Sequence, residues 1–282
     1  MTGKHKVAVV TDGACSLTPV QGPEFGLQVV PVYVNFGDQS FKSGVDLDAA
    51  EFYRMLRGSK ALPSTSQPTA QDFIDAYTRL ADEVDEIVTV VISHHMSATL
   101  QSAQKAREQF TKVPVHIVDS ESAATGLGLM AIATARAAAE GKSGAEVEQF
   151  ARQVRKTLNI MFTVDTLEYL RRGGRIGGAT AFLGTALAIK PVLYVREGRI
   201  EPLGRVRTRR RALDHLLELV GEKVGAQEAH FAILHCDAEV EAGEFAQRLK
   251  ANFNCAEVLT FEAGPVIATH AGPGTLGVAF YT

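Results

Sequence analysis

The chain has little cysteine, little net charge and no long apolar run, and each shortage excludes a class of protein. Its 282 residues hold three cysteines, Cys15, Cys236 and Cys255. They are odd in number and far apart, without the close pairing of a metal site, so the expected setting is reduced and cytoplasmic. A formal net charge of -3 gives no general attraction to nucleic acid or to a membrane surface. The first strand-like run, Val7 to Val10, is too short for a signal-peptide core, and no apolar stretch approaches a membrane span. A Gly-Lys-Ser/Thr phosphate loop and a Gly-x-Ser-x-Gly nucleophile elbow are also missing. His94 and His95 are adjacent, so they cannot share a helix face as a zinc pair at i and i+4 does. No cofactor and no metal are expected.

What is present reads as an ordinary globular protein, 46% hydrophobic and 22% charged, long enough for two domains. Apolar, β-branched runs at Val7–Val10, Val29–Val34, Ile87–Ile92 and Val115–Val118 predict buried strands. Helical patterns lie between or after them at Leu47–Leu56, Ala70–Leu80, Ala98–Phe110 and Ala123–Ala139, and Ser143 with Glu146 predicts a capped helix over Ala145–Thr157. This alternation predicts a largely parallel sheet flanked by helices. A second region starts at Ile160–Val164. It continues through two strands joined by the turn Arg196-Glu197-Gly198-Arg199, then further helices and strands to Leu276–Tyr281. The expected fold class is α/β in two domains, residues 1–156 and 157–282.

Three hydroxyl- and glycine-rich turns interrupt these elements: Pro63-Ser64-Thr65-Ser66-Gln67-Pro68, Ser93 through Thr99, and His270-Ala271-Gly272-Pro273-Gly274. Small hydroxyls, free N–H groups and an imidazole suit an anionic head group. Ser97 reads as an N-cap, which would also put a helix N-terminus beside it. Taken singly, Thr65 fits a simple capped turn and His270 an ordinary loop histidine. Gly272 to Gly277 matches a dinucleotide fingerprint on paper but leads into a strand, and Gly126-Leu127-Gly128 falls inside a helix where packing explains it.

Together these segments resemble the DegV family, bacterial proteins that bind one long-chain fatty acid. The resemblance runs the length of the chain: Val9-Val10-Thr11-Asp12, then Thr65-Ser66-Gln67-Pro68, Met96 through Ala103, Val118-Asp119-Ser120, Leu170 through Ile176, and His270 through Gly274. Gly13-Ala14-Cys15 departs from the family's usual small hydroxyl residues. Ala98 stands where glycine is usual, which removes an easy route to positive φ, and His94 replaces a common serine.

The resemblance implies an acyl carrier with its ligand buried between the domains. Thr65 and Ser97 would bind the carboxylate, with His270 joining the network, because a buried carboxylate needs several donors. Each buried CH₂ contributes about 0.8 kcal/mol, so about sixteen carbons offer on the order of 10 kcal/mol before immobilisation is deducted. Phe162, Phe182 and Leu183 are candidates for the tunnel wall, against ordinary core packing. The resemblance also implies a partner, a fatty acid kinase subunit that phosphorylates the bound carboxyl, with Arg175 and Arg207 as candidate contacts. The basic run Arg205 to Arg211 would then be a docking patch; otherwise it is a solvated strand–helix junction. A second reading, a hydrolase or acyltransferase with Ser97 as nucleophile and His270 as base, lacks an orienting acid and an elbow. Nucleic acid is not an expected partner, since no reading motif accompanies the arginines.

Overall fold

The computed structural model describes residues 6–59, 61–184 and 189–282. In chain order the first region contains β1 (Val7–Asp12), β2 (Leu27–Val30), β3 (Tyr33–Phe36), β4 (Gln39–Lys42), α1 (Ala49–Gly58), β5 (Ser64–Ser66), α2 (Ala70–Leu80), β6 (Glu86–Val91), α3 (Thr99–Gln109), β7 (Val115–Asp119), α4 (Ala124–Ala139) and α5 (Gly144–Thr157). The second contains β8 (Asn159–Thr163), α6 (Glu168–Arg172), β9 (Lys190–Arg196), β10 (Arg199–Val206), α7 (Arg209–Val224), β11 (Ala229–His235), α8 (Glu239–Asn252), β12 (Cys255–Glu262), α9 (Pro265–Ala271) and β13 (Leu276–Tyr281).

Among these residues, four strands form a parallel sheet in the order β2-β1-β6-β7. Six form a mixed sheet, β10-β9-β8-β13-β11-β12, and a small antiparallel sheet, β4-β3-β5, completes the set. The α/β architecture with a parallel sheet flanked by helices is therefore as expected. The Val29–Val34 run is not one strand. Pro31 has no N–H to give a ladder, and the chain breaks there into β2 and β3, which join different sheets.

Helix α4 is buried along nearly its whole length, with only Arg136 and Ala139 exposed, the pattern of a core helix. It packs on β1 of the parallel sheet and on β11 and β13 of the mixed sheet, so one core runs between the two regions. A Cβ on Gly128 would overlap the Cys15 carbonyl, which is the packing role expected of that glycine. Helix α5 opens with the expected capping box of Ser143 and Glu146. The hairpin β9–β10 turns through Glu197 and Gly198, both at positive φ, as a tight I′ turn requires.

Candidate ligand-binding site

A parallel sheet offers its ligand crevice beyond the C-terminal ends of its strands. Here the loops leaving β1, β6 and β7 contribute Ala14, then Ile92 and Met96, then Ala123 and Ala124, to one cavity. The mixed sheet closes it with Ile160, Phe162, Val195, Ile200 and Leu234. The empty space, counting its open mouth, is about 910 Å³. The wall is predominantly aliphatic. Its polar members include Thr65, Ser97, Thr99, Arg175, His270 and Thr275.

The three residues expected to hold an anionic head group are thus brought to one cavity, from three separate elements. Two arrive differently from expectation. Thr65 is not in a free turn but in the middle of β5, where Val34 of β3 pairs with it. His270 is not in a loop but in the last turn of α9, a helix begun by Pro265 at a position where its missing N–H costs nothing. Ser97 precedes the cap position, which Ala98 takes with φ -78, so the methyl there meets no demand for positive φ. Its hydroxyl still accepts from Thr99 N–H at 3.3 Å and lies 2.8 Å from Thr99 Oγ1.

Thr65 Oγ1 lies 2.8 Å from His270 Nε2. Burial, and then the charge of Arg175, push the imidazole's pKa down to about 4, so it is neutral at physiological pH. Its Nδ1 is buried without a partner and faces Gly173, where a Cβ would overlap it. With Nε2–H donating to Thr65 Oγ1, the threonine proton is free for a ligand. If Thr99 donates to Ser97, the serine proton is free as well. Two hydroxyl donors then converge on an otherwise apolar cavity.

Arg175 is half-buried at this cavity, not outside it. Its Nε donates to the Met96 carbonyl at 3.0 Å and its Nη1 to Gly173 at 2.6 Å. Arg207 is exposed and does not line the cavity; it lies in the run leading to α7. Of the candidate wall residues, Phe162 lines the cavity, Phe182 packs against the cluster beside it, and Leu183 is exposed. Thr99, within the motif Met96 through Ala103, and Thr275, which carries no sequence signal, also line the cavity. Ser97 and His270 each bond to a threonine rather than to each other. Burial pushes the thiols of Cys15 and Cys236 up to about 12, which disqualifies them as nucleophiles. No cluster of metal-ligating side chains occurs among the described residues.

The family model described as an uncharacterised protein of the DegV family matches residues 6–282. This chain belongs to the DegV family. A DegV domain-containing protein of Deinococcus radiodurans is 38% identical over 97% of both chains. The structure of a DegV family protein from Thermus thermophilus, described by its fatty acid binding, superposes with a TM-score of 0.92 at 35% identity, over 98% of this chain and 99% of that one. DegV of Bacillus subtilis, described as a fatty acid binding protein, superposes with a TM-score of 0.89 at 29% identity, over 98% of this chain and 99% of that one. No helix among the described residues is long and apolar enough to cross a membrane.

Proposed function

We propose that this chain binds one long-chain fatty acid in the cavity between its two main sheets. The observation that carries the reading is the pairing of an apolar wall with two hydroxyls, Thr65 and Ser97, each within hydrogen-bond distance of a neighbour, His270 and Thr99, that can donate to it and leave its own proton for a ligand. His270 orients Thr65. The carboxylate accepts from both hydroxyls, and the half-buried Arg175 supplies a nearby positive charge. The likeness to the fatty acid binding relatives supports the same reading.

On this reading the chain does no chemistry itself. It carries the acid in the cytoplasm and presents the carboxyl to a separate kinase subunit, which forms the acyl phosphate. Arg207 and its exposed neighbours would meet an acidic face of that partner. Arg175, beside the head group, would offset charge as the phosphate forms. Residues 1–156 and 157–282 act as the two domains that enclose the acid. The hydrolase reading is less well supported, because His270 has no orienting carboxylate and is bonded to Thr65 rather than to Ser97.

Native mass spectrometry of the purified protein, followed by solvent extraction, tests the carrier. One fatty acid per chain, lost or exchanged far more readily from a Thr65→Ala, Ser97→Ala double variant, is the expected result. An empty protein that also takes up no added palmitate would end this reading.

A further inference from the structure

Strand β1 ends in a carboxylate that the head-group network does not use. Asp12 is fully buried. Its Oδ1 accepts from Ala14 N–H at 2.9 Å and its Oδ2 from Ile92 N–H at 2.8 Å. Both donors belong to residues that line the cavity. Ile92 is also the residue before Ser93, and Ser93 locates Ser97: its carbonyl accepts from Met96 N–H at 2.9 Å and from Ser97 N–H at 3.1 Å. The Ser93 hydroxyl in turn donates to the Gly198 carbonyl at 2.8 Å, across to the β9–β10 hairpin. The Asp12 carboxylate is therefore linked to the backbone that carries the Ser97 hydroxyl by a hydrogen bond to Ile92 N–H, the peptide step from Ile92 to Ser93, and the Ser97 N–H bond to the Ser93 carbonyl.

We propose that Asp12 is a positioning residue for acid binding: its ionised carboxylate fixes the Ile92–Ser97 loop, and with it the Ser97 donor, against the cavity. The proposal rests on the carrier reading. Chemistry explains why a charge is kept in so costly a place. Only an ionised carboxylate at this length can accept from two separate N–H groups with two oxygens; an amide offers one acceptor, and a protonated acid spends one oxygen on its own hydrogen.

Burial pushes the Asp12 pKa up to about 6, against the opposing pull of its two backbone hydrogen bonds. No cation figures among its influences. The titratable group that responds to its charge is the Cys15 thiol, itself pushed up to about 12 and so neutral throughout the range concerned. As the pH falls through about 6, one N–H, of Ile92 or of Ala14, loses its acceptor and the loop is released.

Palmitate affinity measured from pH 7.5 to pH 5 in the wild type and in Asp12→Asn tests this. The variant should bind about tenfold more weakly at pH 7.5, the size of one charge-assisted hydrogen bond. Its profile should also lack the loss that the wild type shows near pH 6, the acid's own titration being common to both. Equal affinities at pH 7.5, or parallel profiles, would overturn the proposal. A wild type that fails to bind palmitate at all would instead sink the carrier reading. Should the variant not fold, ¹⁵N spectra of the wild type decide. The amides of Ala14, Ile92 and Ser97 should then titrate together near pH 6, and a Ser97 amide that does not move would refute the coupling.

Discussion

His270 Nε2 and Thr65 Oγ1 lie 2.8 Å apart although 205 residues separate them in the chain. Each alone is unremarkable, a helix-end histidine and a threonine on a short edge strand. Brought together, they place a hydroxyl and an imidazole at one apolar cavity, and with Nε2–H donating the hydroxyl keeps its own proton for a ligand. The first expectation is that removing this donor weakens binding without harming the fold. Thr65→Val keeps the shape and the β-branch that suits β5 while deleting the hydroxyl. Palmitate affinity by isothermal titration should fall roughly 5- to 150-fold, the range of about 1–3 kcal/mol for a carboxylate oxygen left without its donor. The melting temperature should change little.

Gly173 lets the imidazole sit where it does, since a Cβ there would overlap Nδ1. Gly173→Ala must therefore displace His270 and lengthen its bond to Thr65. Affinity should fall about as far as in His270→Ala. Combining the two should cost little more than either alone, because contacting residues do not add. Additive losses in the double-mutant cycle would mean that Gly173 acts elsewhere.

Stability should respond to two of the buried titrating groups, His270 and Asp12, in opposite directions. His270 has its pKa lowered from 6.5 to about 4, so between those values the unfolded chain binds more protons than the folded one. Its contribution is present above pH 6.5 and is lost as the pH falls toward 4, by up to about 3 kcal/mol. Asp12 has its pKa raised from 3.8 to about 6, so the folded state binds the extra proton and stability rises as the pH falls through 6 toward 4. The two slopes partly cancel in the wild type. His270→Gln should expose the Asp12 limb, giving a protein whose denaturant midpoint climbs between pH 6.5 and 4.5. A variant with an unchanged profile would contradict the burial of the imidazole.

Much of the fold was legible because its elements obey simple periodicities. The strands β1, β6 and β7, the helix α4 and the tight β9–β10 turn all carry their own local signals. The site was legible only as residue types. Thr65 and His270 read as turn residues because β5 has three residues and α9 seven, too short for any repeat to declare itself. Pro31 divides an apolar run that reads as one strand, and only the pairing of its halves with different partners reveals the break. Asp12 left no mark beyond its place in the opening motif. Its role depends on a contact with Ile92, 80 residues away.

The thiols offer a quick check on which regions stay closed. Cys15 and Cys236 are buried, and burial pushes each up to about 12, whereas Cys255 is half-buried. A thiol reagent at pH 8 should modify Cys255 first and leave the other two until the protein unfolds, as read by mass spectrometry. Rapid labelling of Cys15 in the native protein would mean that the core beside α4 opens.

The arginines near α7 should separate docking from ligand binding. Thr208 caps the helix, accepting from Arg211 N–H at 3.3 Å, which leaves Arg209, Arg210 and Arg211 in the first turn, where the helix dipole opposes cations. Arg209 is answered internally by Glu241 at 2.9 Å. Arg205, Arg207, Arg210 and Arg211 are exposed and carry their charge outward. Arg207→Glu should leave palmitate affinity unchanged, because this residue does not line the cavity. It should slow kinase-dependent formation of acyl phosphate, and the wild-type rate should fall with added salt while the variant's responds less, since exposed charges are screened within about 10 Å at 0.1 M. A variant phosphorylated at the wild-type rate, with the same salt dependence, would remove Arg207 from the docking face and leave the segment as a solvated junction.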